Sequence, residues 1–210
     1  MPTFASLKTS AAKRLMDDSN TAVSASDVGD SVNAAIRFWK QKRFWFNQAT
    51  ATPTLTEDDP DITGMPSAFL YELSQNGFVI EYASSRYPLV KVDNNFFDAK
   101  DSEGVGLPAI YTYRNGGYQV CPYPDQAYTL KLYYIKDYSD LSGDSDTNDF
   151  TAYADRLVLY EALSRLHGEL RQDEKMEAYY SARAAAEYQN LQTRTAMLIG
   201  TGTLSVDTIL

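Results

Sequence analysis

The spacing of apolar residues changes period twice along this chain, and the layout of the fold follows from that. Before residue 50 the apolar positions recur every three or four residues. Phe4, Leu7, Ala11 and Leu15 do so within residues 3–17, and Val28, Val32, Ala35, Ile36 and Trp39 do so after Ser24. This spacing lines them along one face of a helix. Ser24 and Asp27 have the separation of a capping box. From Thr50 the period falls to two. Tyr128, Leu130, Leu132 and Tyr134 alternate with Thr129 and Lys131, which places one set on each face of a strand. Asn115-Gly116 lies between two such runs, "AIYTY" and "YQVCPY", and supplies the positive φ angles of a tight hairpin turn. "GFVIEY" and "RYPLVKV" flank "ASS" as a second hairpin, and "TATPTLT" and "DITGMP" flank the acidic turn "EDDPD".

After "DLSGDSDTND" the helical period returns. Asn148 or Asp149 is placed to cap a helix reaching about Gly168, with Leu159, Leu163, Leu166 and Leu170 as its stripe. Asp173 is placed to cap another, with Met176, Tyr180, Ala184, Tyr188 and Leu191 facing inward. The expectation is an α+β chain in which N-terminal helices (1–49) and a C-terminal helical hairpin (141–195) form one bundle. A small antiparallel β domain (50–140) is inserted between them, and residues 196–210 form an extended tail.

Composition narrows the function classes. The net charge is −9, which opposes a grip on nucleic-acid phosphates and on anionic membranes. No apolar run is long enough to span a bilayer, and the N-terminus lacks the apolar core of a secretory signal. The single cysteine, Cys121, rules out an internal disulfide. The single histidine, His167, rules out a histidine cluster, and it reads as a helix residue rather than a catalyst. Asp144, Asp146 and Asn148 begin like a calcium loop. Asp149 then stands where glycine is needed and Asp155 where a bidentate glutamate is needed. "GTGT" (200–203) follows no strand and precedes no Gly-Lys-Ser, so it is not a phosphate loop. No cofactor and no metal is expected.

One stretch stands out. "IRFWKQKRFWFNQ" (36–48) packs Phe38, Trp39, Phe44, Trp45 and Phe46 among Arg37, Lys40, Lys42 and Arg43. Stacking of single-stranded nucleic acid is one use of such a run, and the acidic balance opposes it. Packing is the favoured reading, with Trp39 facing the bundle and Phe44, Trp45 and Phe46 directed toward the β domain and a neighbour.

Taken in order, "AIRFWKQKRFWFNQ", "FLYELSQNGFVIEYASSRYPLVKV", "GLPAIYTYRNGGYQVCPYPDQAYTLKLYYIKDYSDLS" and "TGTLSVDTIL" resemble the adaptor, or head-to-tail connector, proteins of tailed bacteriophages. The resemblance runs from about residue 20 to the C-terminus. It implies a structural virion protein at the head–tail junction, assembled in the host cytoplasm, with no catalytic motif. The implied partners are other copies of the chain in a closed ring of about twelve, where unlike faces meet, the portal, and the tail nozzle or tube. Genome DNA would pass through the channel without specific binding. Arg37, Trp39, Arg43, Phe44 and Trp45 are then expected at a domain or subunit interface. Leu204, Val206, Ile209 and Leu210 are expected to bind the portal, by adding a strand to its sheet edge. The loops carrying Asp58 and Asp59 and Asn115 and Gly116 are expected to face the tail. The readings kept beside this one are a tail-associated cell-wall hydrolase and a carbohydrate-binding module built on the β domain.

Overall fold

The computed structural model describes residues 1–15, 23–73, 77–100 and 104–200. In chain order these form α1 (Phe4–Arg14), α2 (Ala25–Trp39), β1 (Gln48–Ala51), β2 (Thr54–Leu55), β3 (Phe69–Glu72), β4 (Phe78–Tyr82), β5 (Ser85–Pro88) and β6 (Val90–Lys91). Then come α3 (Asn94–Lys100), β7 (Val105–Gly106), β8 (Ile110–Arg114), β9 (Gly117–Cys121), β10 (Tyr123–Pro124) and β11 (Tyr128–Lys136). The chain ends on α4 (Asp149–Tyr153), α5 (Asp155–Arg165), a π-helical turn at Leu166–Leu170, and α6 (Glu174–Ile199). The fold is mixed α+β. It divides into a helical unit, residues 1–47 and 138–210, and a β unit, residues 48–137.

In the helical unit, local chemistry sets the helix ends. Thr3 caps α1, Ser24 caps α2 and Asn148 caps α4, each with a reciprocal bond from the residue three positions on. Asp173 caps α6 through the Met176 N–H. Val28, Val32, Ala35 and Ile36 of α2 pack with Phe4, Leu7 and Ala11 of α1 and with Leu157, Val158, Leu163 and Leu166. Asn33 is buried on α2 and fully used: its Nδ2 donates to the Leu141 carbonyl at 3.0 Å, and its Oδ1 accepts from the Leu141 N–H at 2.9 Å.

The aspartate-rich segment before α4 does local work of the same kind. The carbonyls of Asp144 and Asp146 accept from the first free N–H groups of α1, at 3.1 and 3.0 Å. The Asp146 carboxylate accepts from the N–H groups of Gly143 and Ser142, and these bonds hold it below the usual carboxylate range. Asn148 is spent on its cap. Among the described residues no cluster of acids, histidine or cysteine could hold a metal ion.

The C-terminal stripe departs from expectation at one place. Leu170 is 48% exposed, while His167 is buried. The π turn is the cause, because a turn with one extra residue rotates everything after it by roughly 100° around the helix axis. The Arg171 N–H donates to the Leu166 carbonyl, five residues back, and the Asp173 N–H to the His167 carbonyl. Gln172 then takes a left-handed conformation, φ 52°. α6 itself runs to Ile199 and is closed by Gly200 at φ 72°, so residues 196–199 belong to the helix rather than to the tail.

The β unit is built around β11. It pairs antiparallel with β1 and β2 and with β3 and β4, and β4 carries β5 outside it. A second sheet orders β6, β8 and β9, and β7 pairs with β10. Leu55, Phe78, Ile80, Tyr111, Val120, Leu130 and Leu132 form the core. The Asn115–Gly116 turn has φ values of 54° and 83° and joins β8 to β9. β4 and β5 are joined by Ala83 and Ser84, also left-handed at 49° and 64°, in a two-residue turn that has no glycine. α3 is an element the periodicity gave no sign of, although Asp93 accepts from the Phe96 N–H at its start.

Candidate interaction surfaces

The aromatic run at 38–46 is shaped by the residue that follows it. The buried Asn47 side chain accepts from the Phe44 N–H at 2.8 Å and donates to the Lys42 carbonyl at 2.7 Å. That clamp ends the coil after α2 and turns Phe44 and Phe46 the same way. Their rings stack at 5.0 Å, and both meet Phe150 edge-on. Phe44 is 0% exposed and also meets Tyr188. Trp39 is buried and packs on Tyr188 at 4.9 Å. These three aromatics are interior to the helical unit.

Trp45, Arg37 and Arg43 keep some surface. Trp45 is half-buried, edge-on to Phe46 and Tyr153, with the Arg194 guanidinium 4.4 Å above its ring. Its N–H donates to the Thr195 hydroxyl. Arg43 is half-buried, and its carbonyl accepts from Gln192. Arg37 is exposed, with Nε 3.6 Å from the Asp140 carboxylate. Phe38, Tyr153, Tyr179, Met197 and Leu198 add exposed apolar area to the helical unit.

In the β unit the two loops singled out from the sequence lie toward opposite ends of β9: the Asp58 N–H donates to the Pro124 carbonyl, beyond its last residue, and Asn115–Gly116 precedes its first. Asp58 is exposed with φ 59°, and Asp59 accepts from the Asp61 N–H. Asp61 bridges to Gln119, whose Nε2 donates to its carboxylate at 2.7 Å. The N–H groups of Ile62 and Val120 donate to the carbonyls of Tyr118 and Pro60. The residues that follow the acidic turn, Pro60 to Ile62, are thereby sewn along β9. Asparagine and aspartate in positive φ are readable turn signals; the pairing of Asp61 with Gln119 joins residues far apart in sequence and has none.

Next to the Asn115–Gly116 turn a cleft of about 670 Å³ opens between β3 and the β8–β9 hairpin. Ile62, Met65, Phe69, Leu70 and Tyr113 line it, together with the ion pair of Glu72 and Lys91. Glu72, 8% exposed at its side chain, is bonded to the Lys91 ammonium and accepts from the Tyr118 hydroxyl at 2.6 Å. Burial pushes the Glu72 carboxyl up, but the bonds from Lys91 and Tyr118 outweigh it, and the group sits below its ordinary range. Burial and the same carboxylate raise the Tyr118 hydroxyl. The pair was not legible in the sequence, because nothing in the strand pattern of "FLYEL" or "LVKV" marks two charges as partners.

The remaining candidates for chemistry fall in different units. Cys121 is buried in β9 with its thiol donating to the Lys100 carbonyl at 3.1 Å. His167 is buried in the helical unit and stacks on Tyr180 at 5.4 Å. Leu204, Val206, Ile209 and Leu210 lie outside the described residues. No described helix is long and apolar enough to cross a membrane.

The model of the family described as SU10 adaptor protein matches residues 2–206, across both units. None of the curated proteins matches the chain.

Proposed function

The chain belongs to the SU10 adaptor protein family, and from that premise we propose that it joins the portal of a tailed phage to the tail. It is a phage adaptor protein and a structural component of the virion. In our reading, copies close into a ring between the portal and the nozzle or tube, and the ring continues the DNA channel. The observation that carries this is the span of the match, residues 2–206, which takes in the helical and the β unit together.

Two physical features support it. A ring built from heterologous contacts needs two unlike sticky faces on each subunit. Both units supply exposed apolar groups: Phe38, Tyr153, Tyr179, Met197 and Leu198 on one, and Tyr82, Tyr87, Phe96, Val105 and Tyr113 on the other. The net charge of −9 suits a conduit, since a wall that repels phosphates lets a genome slide without being held. Native mass spectrometry of the full chain, alone and with portal, tests the reading. A closed multimer, alone or on the portal, is expected; a chain that stays monomeric in both samples contradicts it.

A further inference from the structure

His167, the single histidine of the chain, is 4% exposed. Among the described residues neither of its ring nitrogens has a hydrogen-bond partner. The ring stacks on Tyr180 of α6 at 5.4 Å and 19°, and Tyr180 stacks in turn on Tyr160 of α5. His167 therefore fills the seam where α5, the π turn and α6 meet. A neutral imidazole carries one N–H; an imidazolium carries two and a charge. The seam gives the ring an aromatic face and no acceptor.

The charges around the seam do not compensate a proton there. Beside the turn, Arg171 opposes it and Asp173 favours it only in part, while Glu169 is exposed. On α5, Arg165 is paired with Glu161. On α6, the Glu177 carboxylate lies against Gly168, where an added Cβ would meet it at 2.7 Å, and Glu174 and Lys175 are exposed. On α2, Asp27 is bonded to Ser24, Arg37 faces Asp140, and Asp30 is exposed. Arg14 of α1 sits over the Tyr160 ring at 5.3 Å. Little holds the corner shut. Ser164 donates to the Glu177 carbonyl at 3.2 Å, and the Asp173 N–H donates to the His167 carbonyl. Of the 26 residues of α6 only Tyr180, Ala184 and Thr195 are buried. An element with so little buried apolar surface belongs to the low-stability end of a fold. Gln172, left-handed at φ 52°, is the hinge between the turn and α6.

We propose that this corner is an acid-sensitive latch: a proton on His167 drives the ring out of the seam and frees the π turn and the N-terminal half of α6, while the rest of the helical unit stays folded. In the open form water meets both N–H groups of the imidazolium, which the closed seam cannot do. The device lies within one subunit, so it does not depend on the ring reading.

Hydrogen exchange of the untagged full chain, read as protection factors at pH 7.5 and 5.5, tests this. A histidine with an ordinary value of about 6.5 once open, and a lower one in the seam, sets the scale: peptides covering residues 163–184 should lose protection about three- to tenfold at pH 5.5. Peptides from α2 and from the β unit should be unchanged. His167→Phe keeps a ring on Tyr180 and cannot take a proton, so it should abolish the loss. Unchanged protection at 163–184, an equal loss throughout the helical unit, or the same loss in His167→Phe overturns the proposal. If His167→Phe fails to fold, the proton NMR signal of the single histidine decides in the unmodified chain. It should titrate together with the loss of protection at 163–184; titration without that loss, or the loss without titration, overturns the proposal.

Discussion

The rings at 38–46 pack as they do because of a residue without a ring. Asn47 satisfies a buried N–H and a carbonyl of its own loop, and an unmet buried amide costs about 1–3 kcal/mol. Asn47→Ala should therefore cost that much in a urea titration although it removes little apolar area. Phe44→Ala should cost more, about 3–5 kcal/mol, the usual range for a sealed aromatic. Equal, near-zero effects of both would contradict the packing described here. His167 gives a pH dependence with a definite sign. Its burial first, and the Arg171 charge second, lower its proton affinity, and Asp173 opposes them only in part. A histidine lowered in the fold holds its proton better when unfolded, so stability is full above its ordinary value of about 6.5 and declines as pH falls through it. Glu72 is also lowered, and its contribution goes in a separate window, as pH falls below about 4.3. The urea midpoint should fall between pH 7.5 and 5.5, and His167→Gln should flatten that part of the curve. The same slope in both proteins would remove His167 from the account. None of these roles was read from the sequence: His167 lies four residues after the buried Leu163, and the π turn that follows carries Leu170 out of the stripe that periodicity gave it.

At the scale of elements, what the sequence disclosed was whatever is fixed within a few residues. The Ser24 cap, the Asn115–Gly116 turn and the alternation of β11 are local, and each appears in the structure where the pattern put it. What was hidden depends on distant partners, such as the parallel pairing of β6 with β8 and of β7 with β10, or on shortness, as with the seven-residue α3. The two hairpin turns supply their own comparison. Asn115 and Gly116 adopt positive φ cheaply, whereas Ala83 and Ser84 hold φ 49° and 64° with ordinary side chains. Left-handed backbone costs a non-glycine residue roughly 1 kcal/mol or more. Ala83→Asn with Ser84→Gly should therefore raise the thermal midpoint by a few degrees, about 1 kcal/mol in stability. A lowered midpoint would mean that Ala83 or Ser84 makes contacts worth more than the strain.

At the scale of the whole molecule, the two changes of period marked a β stretch between helical ones, and the structure is mixed α+β with one unit of each kind. The surfaces through which such units meet partners were far less legible. Exposed aromatics and buried ones look alike in a string: of Trp39, Phe44 and Trp45, only Trp45 retains appreciable surface. The groove beside β3 exists only because residues 62–72, 91 and 113–118 converge. The membership in an adaptor family and the exposed apolar side chains on both units are what the proposed assembly rests on. The most direct measurement is single-particle imaging of the full chain mixed with its portal. A closed ring of copies coaxial with the portal, with an open axial channel, is the predicted result; a portal that remains bare beside free monomers would contradict the central claim.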